Sequence, residues 1–397
     1  MIQLSERLLA MEESATIAMS RKSRELKAQG KDVISLCLGE PDFNTPQFIK
    51  DAATEAMDNN FTKYMPVPGY DDLRESISNK FKRDNNLNYD KDQIVVSTGA
   101  KQSIANVVLT LINPGDEVII PAPFWVSYIE IVKVAGGIPI LVNAGIDKDF
   151  KIDGKDLENA ITAKTKLMIF STPCNPTGSV YNRSELRDLA DVIQKHPSLI
   201  VLCDEIYEHI NFESKHESLA QFNDVYGQVV TVNGVSKAWA MTGWRLGYIG
   251  APKAIANACS KVQGQFTSGT SSITQKAAIA AMNADPQILN DMISAFKSRR
   301  ELVLDALAEM PGIKTNHPGG AFYVFPDCSA YFGKTNGSAM INNANDLCLY
   351  LLEEALVALV TGDAFGDPNC FRISYAASEE TLKEAMHRIK AALSKLN

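Results

Sequence analysis

Lys237 lies in the most informative stretch of the chain, Ser236-Lys237-Ala238-Trp239-Ala240-Met241-Thr242-Gly243-Trp244-Arg245-Leu246-Gly247-Tyr248. It follows the apolar run Val229–Val232 and has small and apolar neighbours. A lysine amine attacks carbonyls once burial or nearby cations lower its pKa. Alone, Lys237 reads as a surface lysine in a loop. Three other segments change that reading. Asp204 stands at the end of the apolar run 199–202, in Leu202-Cys203-Asp204-Glu205-Ile206-Tyr207, where a carboxylate is costly unless it faces a cation. Ser171-Thr172-Pro173-Cys174-Asn175-Pro176-Thr177-Gly178 follows another apolar run, and its prolines stiffen the backbone that carries the Asn175 amide. Ser97-Thr98-Gly99-Ala100-Lys101-Gln102 joins a strand to a helix, where free amides hold anions and Gly99 permits close approach. Each segment could be a turn, a cap or a bend. Together they suit one ligand, an aromatic aldehyde bearing a phosphate and a ring nitrogen. Lys237 would bond the aldehyde carbon, Asp204 would face the protonated nitrogen, and the Gly99–Lys101 turn would hold the phosphate.

The elements that must position these residues alternate in kind. Short runs at 94–96, 118–120, 138–142, 167–170, 199–202 and 229–232 are almost wholly apolar, as strands buried on both faces are. Helical patterns separate them, and Asn113-Pro114-Gly115-Asp116 marks a turn. This predicts an α/β fold with a mostly parallel mixed sheet and helices on both faces. Further on, Met292, Phe296, Val303, Leu307 and Met310 recur at helical spacing before Pro311-Gly312. Leu382, Met386, Ile389, Leu393 and Leu396 mark a final amphipathic helix, with Ser378 as its cap and Glu379 and Glu380 in its first turn. The expected organisation is a large domain over 46–290 and a smaller α/β domain built from 1–45 and 291–397.

Composition excludes several function classes. The 397 residues carry 39 Lys+Arg against 47 Asp+Glu, a net charge of −8, with 45% hydrophobic and 22% charged residues. That is globular composition, and its acidity argues against nucleic-acid binding. No apolar run approaches the roughly 20 residues that span a bilayer. The N-terminus lacks the layout of a signal peptide. Seven scattered cysteines, never in CxxC spacing, predict reduced thiols in a cytoplasmic protein without a metal site.

The motifs resemble the class I aminotransferases, pyridoxal 5'-phosphate enzymes of fold type I, from about residue 5 to 395. Ser236-Lys237 with Thr242–Tyr248 is similar to the family's cofactor-lysine block, and Asp204–Tyr207 and Pro173–Gly178 are similar to two others. Leu38-Gly39-Glu40-Pro41-Asp42-Phe43, Lys63-Tyr64 and Trp125-Val126-Ser127-Tyr128 resemble the bacterial aspartate aminotransferase branch, subgroup Ib. The resemblance implies that Lys237 holds the cofactor and then acts as base. It implies that Asp204 keeps the ring nitrogen protonated, that Tyr207 and Asn175 bond the ring oxygen, and that Trp125 stacks on the ring. Ala100, Lys101, Ser236 and Arg245 would bind the phosphate beside Gly99, and Tyr64 would reach it from the neighbouring subunit of a homodimer. Arg372 would clamp the substrate α-carboxylate, opposite the Gly39 backbone.

The resemblance also implies the reaction, a ping-pong transfer from aspartate to 2-oxoglutarate that gives oxaloacetate and glutamate. Lys101 would meet the distal carboxylate, near Ser14-Ala15-Thr16. A broader aromatic or prephenate aminotransferase is the alternative. Relatives that use prephenate tend to carry a basic residue and a threonine where this chain has Glu12 and Ser14. A carbon–sulfur lyase would have no use for Lys101. A cofactor-sensing regulator would add a DNA-binding segment ahead of the fold.

Overall fold

The apolar runs of the middle of the chain form strands in a computed structural model that describes every residue except Met1, Gln3, Ala10, Ser214 and Ala339, together with the Arg7 side chain. β1 (Ile34–Ser35) stands apart from the main sheet. That sheet is built by β2 (Ile94–Ser97), β3 (Glu117–Ala122), β4 (Ile138–Asn143), β5 (Thr165–Ser171), β6 (Ile200–Asp204), β7 (Val229–Gly234) and β8 (Gly247–Gly250). Their order is β2-β8-β7-β6-β5-β3-β4. Neighbours from β4 across to β7 run parallel, whereas β8 is antiparallel to both β7 and β2. Of the seven strands, β8 alone is reversed.

Successive strand residues point to opposite faces, so an all-apolar strand feeds two cores. Ile120, Leu167, Ile169 and Leu202 pack on one face, with the helices Ala100–Leu111 and Lys253–Phe266. Ile119, Met168, Val201 and Cys203 pack on the other, with the helix Arg183–Ile193. β3, β5, β6 and β7 are buried almost end to end, as their composition predicts. β4 departs from that expectation. It is one of the two edge strands, and Ile138 and Leu141 are exposed, whereas β2 at the opposite edge is buried throughout.

β8 is a strand that composition hides, since two of its four residues are glycines. Both are required by close packing. A side chain at Gly247 would strike the backbone of Gly99 and Ala100, and one at Gly250 would lie 2.5 Å from the Tyr89 ring.

The chain ends pack together. β10 (Val357–Ala358) pairs in parallel with β1. β9 (Tyr323–Val324), β11 (Val360–Thr361) and β12 (Phe371–Ser374) form an antiparallel sheet in the order β11-β12-β9. The helix Asn290–Ala308 stops before Pro311-Gly312, as the pattern predicts. The helix Glu379–Leu393 is capped by the Ser378 hydroxyl, which accepts from the Thr381 amide at 3.2 Å. Leu396 is buried but lies beyond that helix rather than within it. No helix among the described residues is long and apolar enough to cross a membrane.

Candidate active site

The carboxyl edge of the main sheet gathers the reactive residues. β2 leads into Gly99, β3 into Trp125, β5 into Asn175 and β7 into Ser236 and Lys237, while β6 ends on Asp204 itself. β8 runs the other way, so its start lies at this edge. Gly247 pairs with both Ser97 and Gly234, which brings Arg245 to the same place. Ligands of open α/β sheets bind at such an edge. The chain ends add Gly39 after β1, Tyr323 on β9 and Arg372 on β12.

These residues enclose a cavity of about 250 Å³. Of the residues singled out in the sequence, Gly39, Ala100, Lys101, Trp125, Asn175, Asp204, Tyr207, Ser236, Lys237, Arg245 and Arg372 all line it, with Ser14 and Thr16 at one side. Gly99 sits just behind, with φ +86°, and a Cβ there would run into the Arg245 guanidinium. Tyr64 is the exception. It stands outside the cavity with its side chain 99% exposed.

Lys237 is half-buried, and its Nζ donates to the Gly39 carbonyl at 2.6 Å. Burial, and then the Arg372 guanidinium, push its amine down to about 8. Asp204 is 5% exposed, and burial pushes its carboxyl up to about 6. The Tyr128 hydroxyl and the Ile206 amide oppose that rise, donating to its two oxygens at 2.8 and 3.2 Å. Arg372, 2% exposed, donates to the Asn175 side-chain oxygen at 2.8 Å and to the Cys37 carbonyl. Its plane lies against the rings of Tyr323 and Phe365, at 4.6 and 4.8 Å. Its Nε is buried without a partner. The Tyr207 hydroxyl shares a hydrogen bond of 2.8 Å with that of Tyr323.

At the end next to Gly99, Ala100 and Lys101 occupy the first turn of the helix Ala100–Leu111, where amides have no intrahelical partner. Arg245 is in the left-handed region, φ 58°, and donates to the Thr242 carbonyl at 2.9 Å. The Lys101 ammonium lies 4.9 Å over the Trp125 ring, and burial, then Arg245, lower its pKa. The cavity wall therefore carries four cations, Lys101, Lys237, Arg245 and Arg372, against one carboxylate, Asp204.

Two contributors were not singled out by role from sequence. Tyr128 is legible only as part of its motif, since Trp125 precedes the helix Ser127–Val134 in which Tyr128 sits. Tyr323 sits in an unremarkable apolar run that carries no local signal.

The class I and II aminotransferase profile matches residues 31–389. The chain belongs to this aminotransferase family. Its sequence is 48% identical to the bifunctional aspartate aminotransferase and glutamate/aspartate-prephenate aminotransferase of Petunia hybrida, over 99% of this chain and 83% of that protein. It is 45% identical to the aspartate/prephenate aminotransferase of Nitrosomonas europaea, over 99% of this chain and 100% of that one. Its fold superposes on the aspartate aminotransferase of Rhizobium meliloti with a TM-score of 0.97 at 41% identity, covering 100% of both chains. The Thermus thermophilus aspartate aminotransferase with maleate gives 0.93 at 38% identity, over 99% of this chain and 100% of that one.

Aminotransferases of this family use pyridoxal 5'-phosphate, and the donor set of this one fits it. A depressed lysine amine faces the cavity, a buried carboxylate forms no ion pair among the described residues, and the Gly99 turn is a cradle that any side chain would block.

Proposed function

We propose that this aminotransferase moves the amino group of aspartate to 2-oxoglutarate, yielding oxaloacetate and glutamate by a ping-pong route. One observation carries the reading: beyond Lys237, three cavity cations, Lys101, Arg245 and Arg372, pair with no carboxylate among the described residues. Three anionic groups match them, namely the cofactor phosphate, the substrate α-carboxylate and a distal carboxylate. The names of the relatives and structures support the same donor.

Pyridoxal phosphate bound here would supply an electrophilic carbon and an electron sink. Lys237 would hold it through Nζ and, once released as a neutral amine, carry the substrate's Cα proton. Asp204 would face the ring nitrogen as its fixed counter-charge, oriented by Tyr128 and the Ile206 amide. Asn175 and Tyr207 would bond the ring oxygen, and Trp125 would stack on the ring. The amides of Ala100 and Lys101, with Ser236 and Arg245, would hold the phosphate at the helix N-terminus. Arg372 would clamp the α-carboxylate with the Gly39 backbone opposite, and Lys101 would bind the distal carboxylate. Tyr64, fully exposed in a single chain, would reach the partner's phosphate in a homodimer. The sheet β2–β8 with its helices would form a large domain over 46–290, and 1–45 with 291–397 a smaller one. A cytoplasmic location fits seven buried, unpaired cysteines.

A second reading, prephenate as acceptor, is favoured by the double names of several relatives. Glu12 and Ser14 weigh against it. One experiment tests both. Aspartate, glutamate, alanine, phenylalanine and arogenate are added separately to the yellow enzyme, and the loss of its visible absorbance is followed. Aspartate and glutamate should discharge it at the lowest concentrations. Alanine or phenylalanine matching aspartate would overturn the aspartate reading, and discharge by arogenate would establish the prephenate reaction.

A further inference from the structure

The turn Asp204–Glu208 faces two ways. Asp204, Ile206 and Tyr207 line the cavity, whereas Glu205 and Glu208 lie outside its lining, in a second polar cluster that is largely buried. There the Glu208 carboxylate meets the Lys80 ammonium, and its other oxygen accepts from the Asn85 amide at 2.7 Å. Lys80 also donates to the Asn85 oxygen at 2.8 Å. Glu205 Oε2 accepts from the Ser218 hydroxyl at 2.7 Å and lies 3.0 Å from His216 Nε2. His209 flanks Glu208 at 3.4 Å and Asp84 at 3.8 Å. Burial alone would lower the His216 pKa, but the carboxylates of Glu205 and Glu208 raise it above the ordinary imidazole value.

Such a cluster is expensive. Buried charges rarely add net stability over apolar packing, and their best-attested use is to specify one arrangement. A metal site is the competing explanation, since donor atoms of Glu205, Glu208 and His216 lie within 4.8 Å of one another. Both Glu208 oxygens are already engaged, by Lys80 and Asn85, so an ion would compete with the Lys80 ammonium at one and the Asn85 amide at the other. Glu205 Oε1 and both ring nitrogens of His216 are buried without a hydrogen-bond partner, so the 3.0 Å approach of His216 to Glu205 is a close polar contact rather than part of a saturated bond network.

We propose that Glu205, His216 and Ser218 are positioning residues for the reaction, fixing from behind the turn that presents Asp204 and Tyr207 to the cofactor. The proposal rests on the cofactor-facing roles given above to Asp204 and Tyr207. The coupling is short: Glu205 follows Asp204 directly, its amide is held by the Val232 carbonyl at 2.9 Å, and its own carbonyl holds the Glu208 amide at 2.9 Å. A carboxylate released at 205 lets the turn rotate, and small displacements of reacting groups are costly to rate.

The test uses the cofactor-loaded enzyme and compares Ser218→Ala, His216→Gln and Glu205→Gln with Leu382→Ala, a cavity variant in the distant C-terminal helix. Ser218→Ala is the mild variant that preserves the fold should the others not. The positioning variants should lower kcat by about 10- to 100-fold with KM for aspartate within about 3-fold. They should also alter the visible circular dichroism of the bound cofactor, and His216→Gln combined with Glu205→Gln should be no worse than either alone. Leu382→Ala should lower the melting temperature without moving kcat or the dichroism. Wild-type kcat and dichroism in folded positioning variants would overturn the proposal. Asp204→Asn separates the two layers of the argument. If it is damaged while Ser218→Ala and His216→Gln are not, the positioning role alone fails. If Asp204→Asn itself keeps wild-type dichroism and kcat, the cofactor-facing reading fails and takes the positioning role with it.

Discussion

Arg372 donates to the Asn175 side-chain oxygen at 2.8 Å, so the residue assigned to the substrate carboxylate and the residue assigned to the ring oxygen are bonded to each other. Substrate and cofactor recognition therefore share one hydrogen bond. Arg372→Lys keeps the charge but loses the planar fork. It should raise KM for aspartate by about 10- to 100-fold, the worth of one charged hydrogen bond. It should also weaken cofactor retention through Asn175. Steady-state kinetics and equilibrium dialysis check the two effects, and losses in Arg372→Lys/Asn175→Ala that simply add would show that the bond does not couple them.

Lys237 titrates low because it is buried beside Arg372, at about 8 in place of the usual lysine value. A lowered amine pKa means that the neutral, nucleophilic form prevails above about 8. Labelling of Lys237 in the cofactor-free protein by a small electrophile should therefore accelerate as pH rises through about 8 and then level off. Mass spectrometry locates the label, and a midpoint at the ordinary lysine value would contradict the burial argument.

Asp204 has the opposite displacement. Its carboxyl is pushed up to about 6, so below that pH it carries a proton and presents no anion to a ring nitrogen. Cofactor affinity of the apoprotein should fall as pH drops through about 6. Asp204→Asn should bind weakly at every pH and lack that step. Because the buried charge is gone, its apoprotein should melt no lower than wild type at pH 8. Calorimetry of the two apoproteins and a fluorescence titration with cofactor decide this.

Lys101 lies over the Trp125 ring with no carboxylate to pair with among the described residues. Lys101→Ser should cut kcat/KM for aspartate by about 10- to 100-fold and leave that for alanine within about 3-fold. Equal losses for both amino acids would remove the distal-carboxylate role.

Gly99 holds φ +86° with the Arg245 guanidinium where a Cβ would be. Gly99→Ala combines backbone strain with a clash against a phosphate ligand. It should raise the dissociation constant for pyridoxal phosphate by about 10-fold or more, with a smaller effect for pyridoxal, which lacks the phosphate. Similar losses for both would place the damage outside the phosphate cradle.

The share of this site that was legible in sequence follows from how each residue arrives there. Gly99, Asn175, Asp204 and Lys237 each lie within a few residues of a strand end, so a parallel sheet brings them to one edge whatever the detailed packing. Arg245 needs β8 to run backwards, and the glycines of β8 conceal that strand, so its placement rested on the motif rather than on the pattern. Tyr323 reaches Tyr207 across 116 positions and Tyr128 reaches Asp204 across 76, distances that only packing resolves. The Glu205–His216 cluster carries no signal in the sequence, because two acids and a histidine near a loop look like solvated surface until burial is known. The exposure of β4 is hidden for the same reason, since apolar composition does not say which edge of a sheet is covered.

The guanidinium of Arg372 grips the carbonyl of Cys37 from 335 positions away, and Gly39 caps an amine 198 positions further along. A ribosome must therefore finish nearly the whole polypeptide before the roof of the catalytic chamber can close. A chain cut short after Lys237 but before Arg372 would carry the nucleophilic lysine without the wall that orients amino acids.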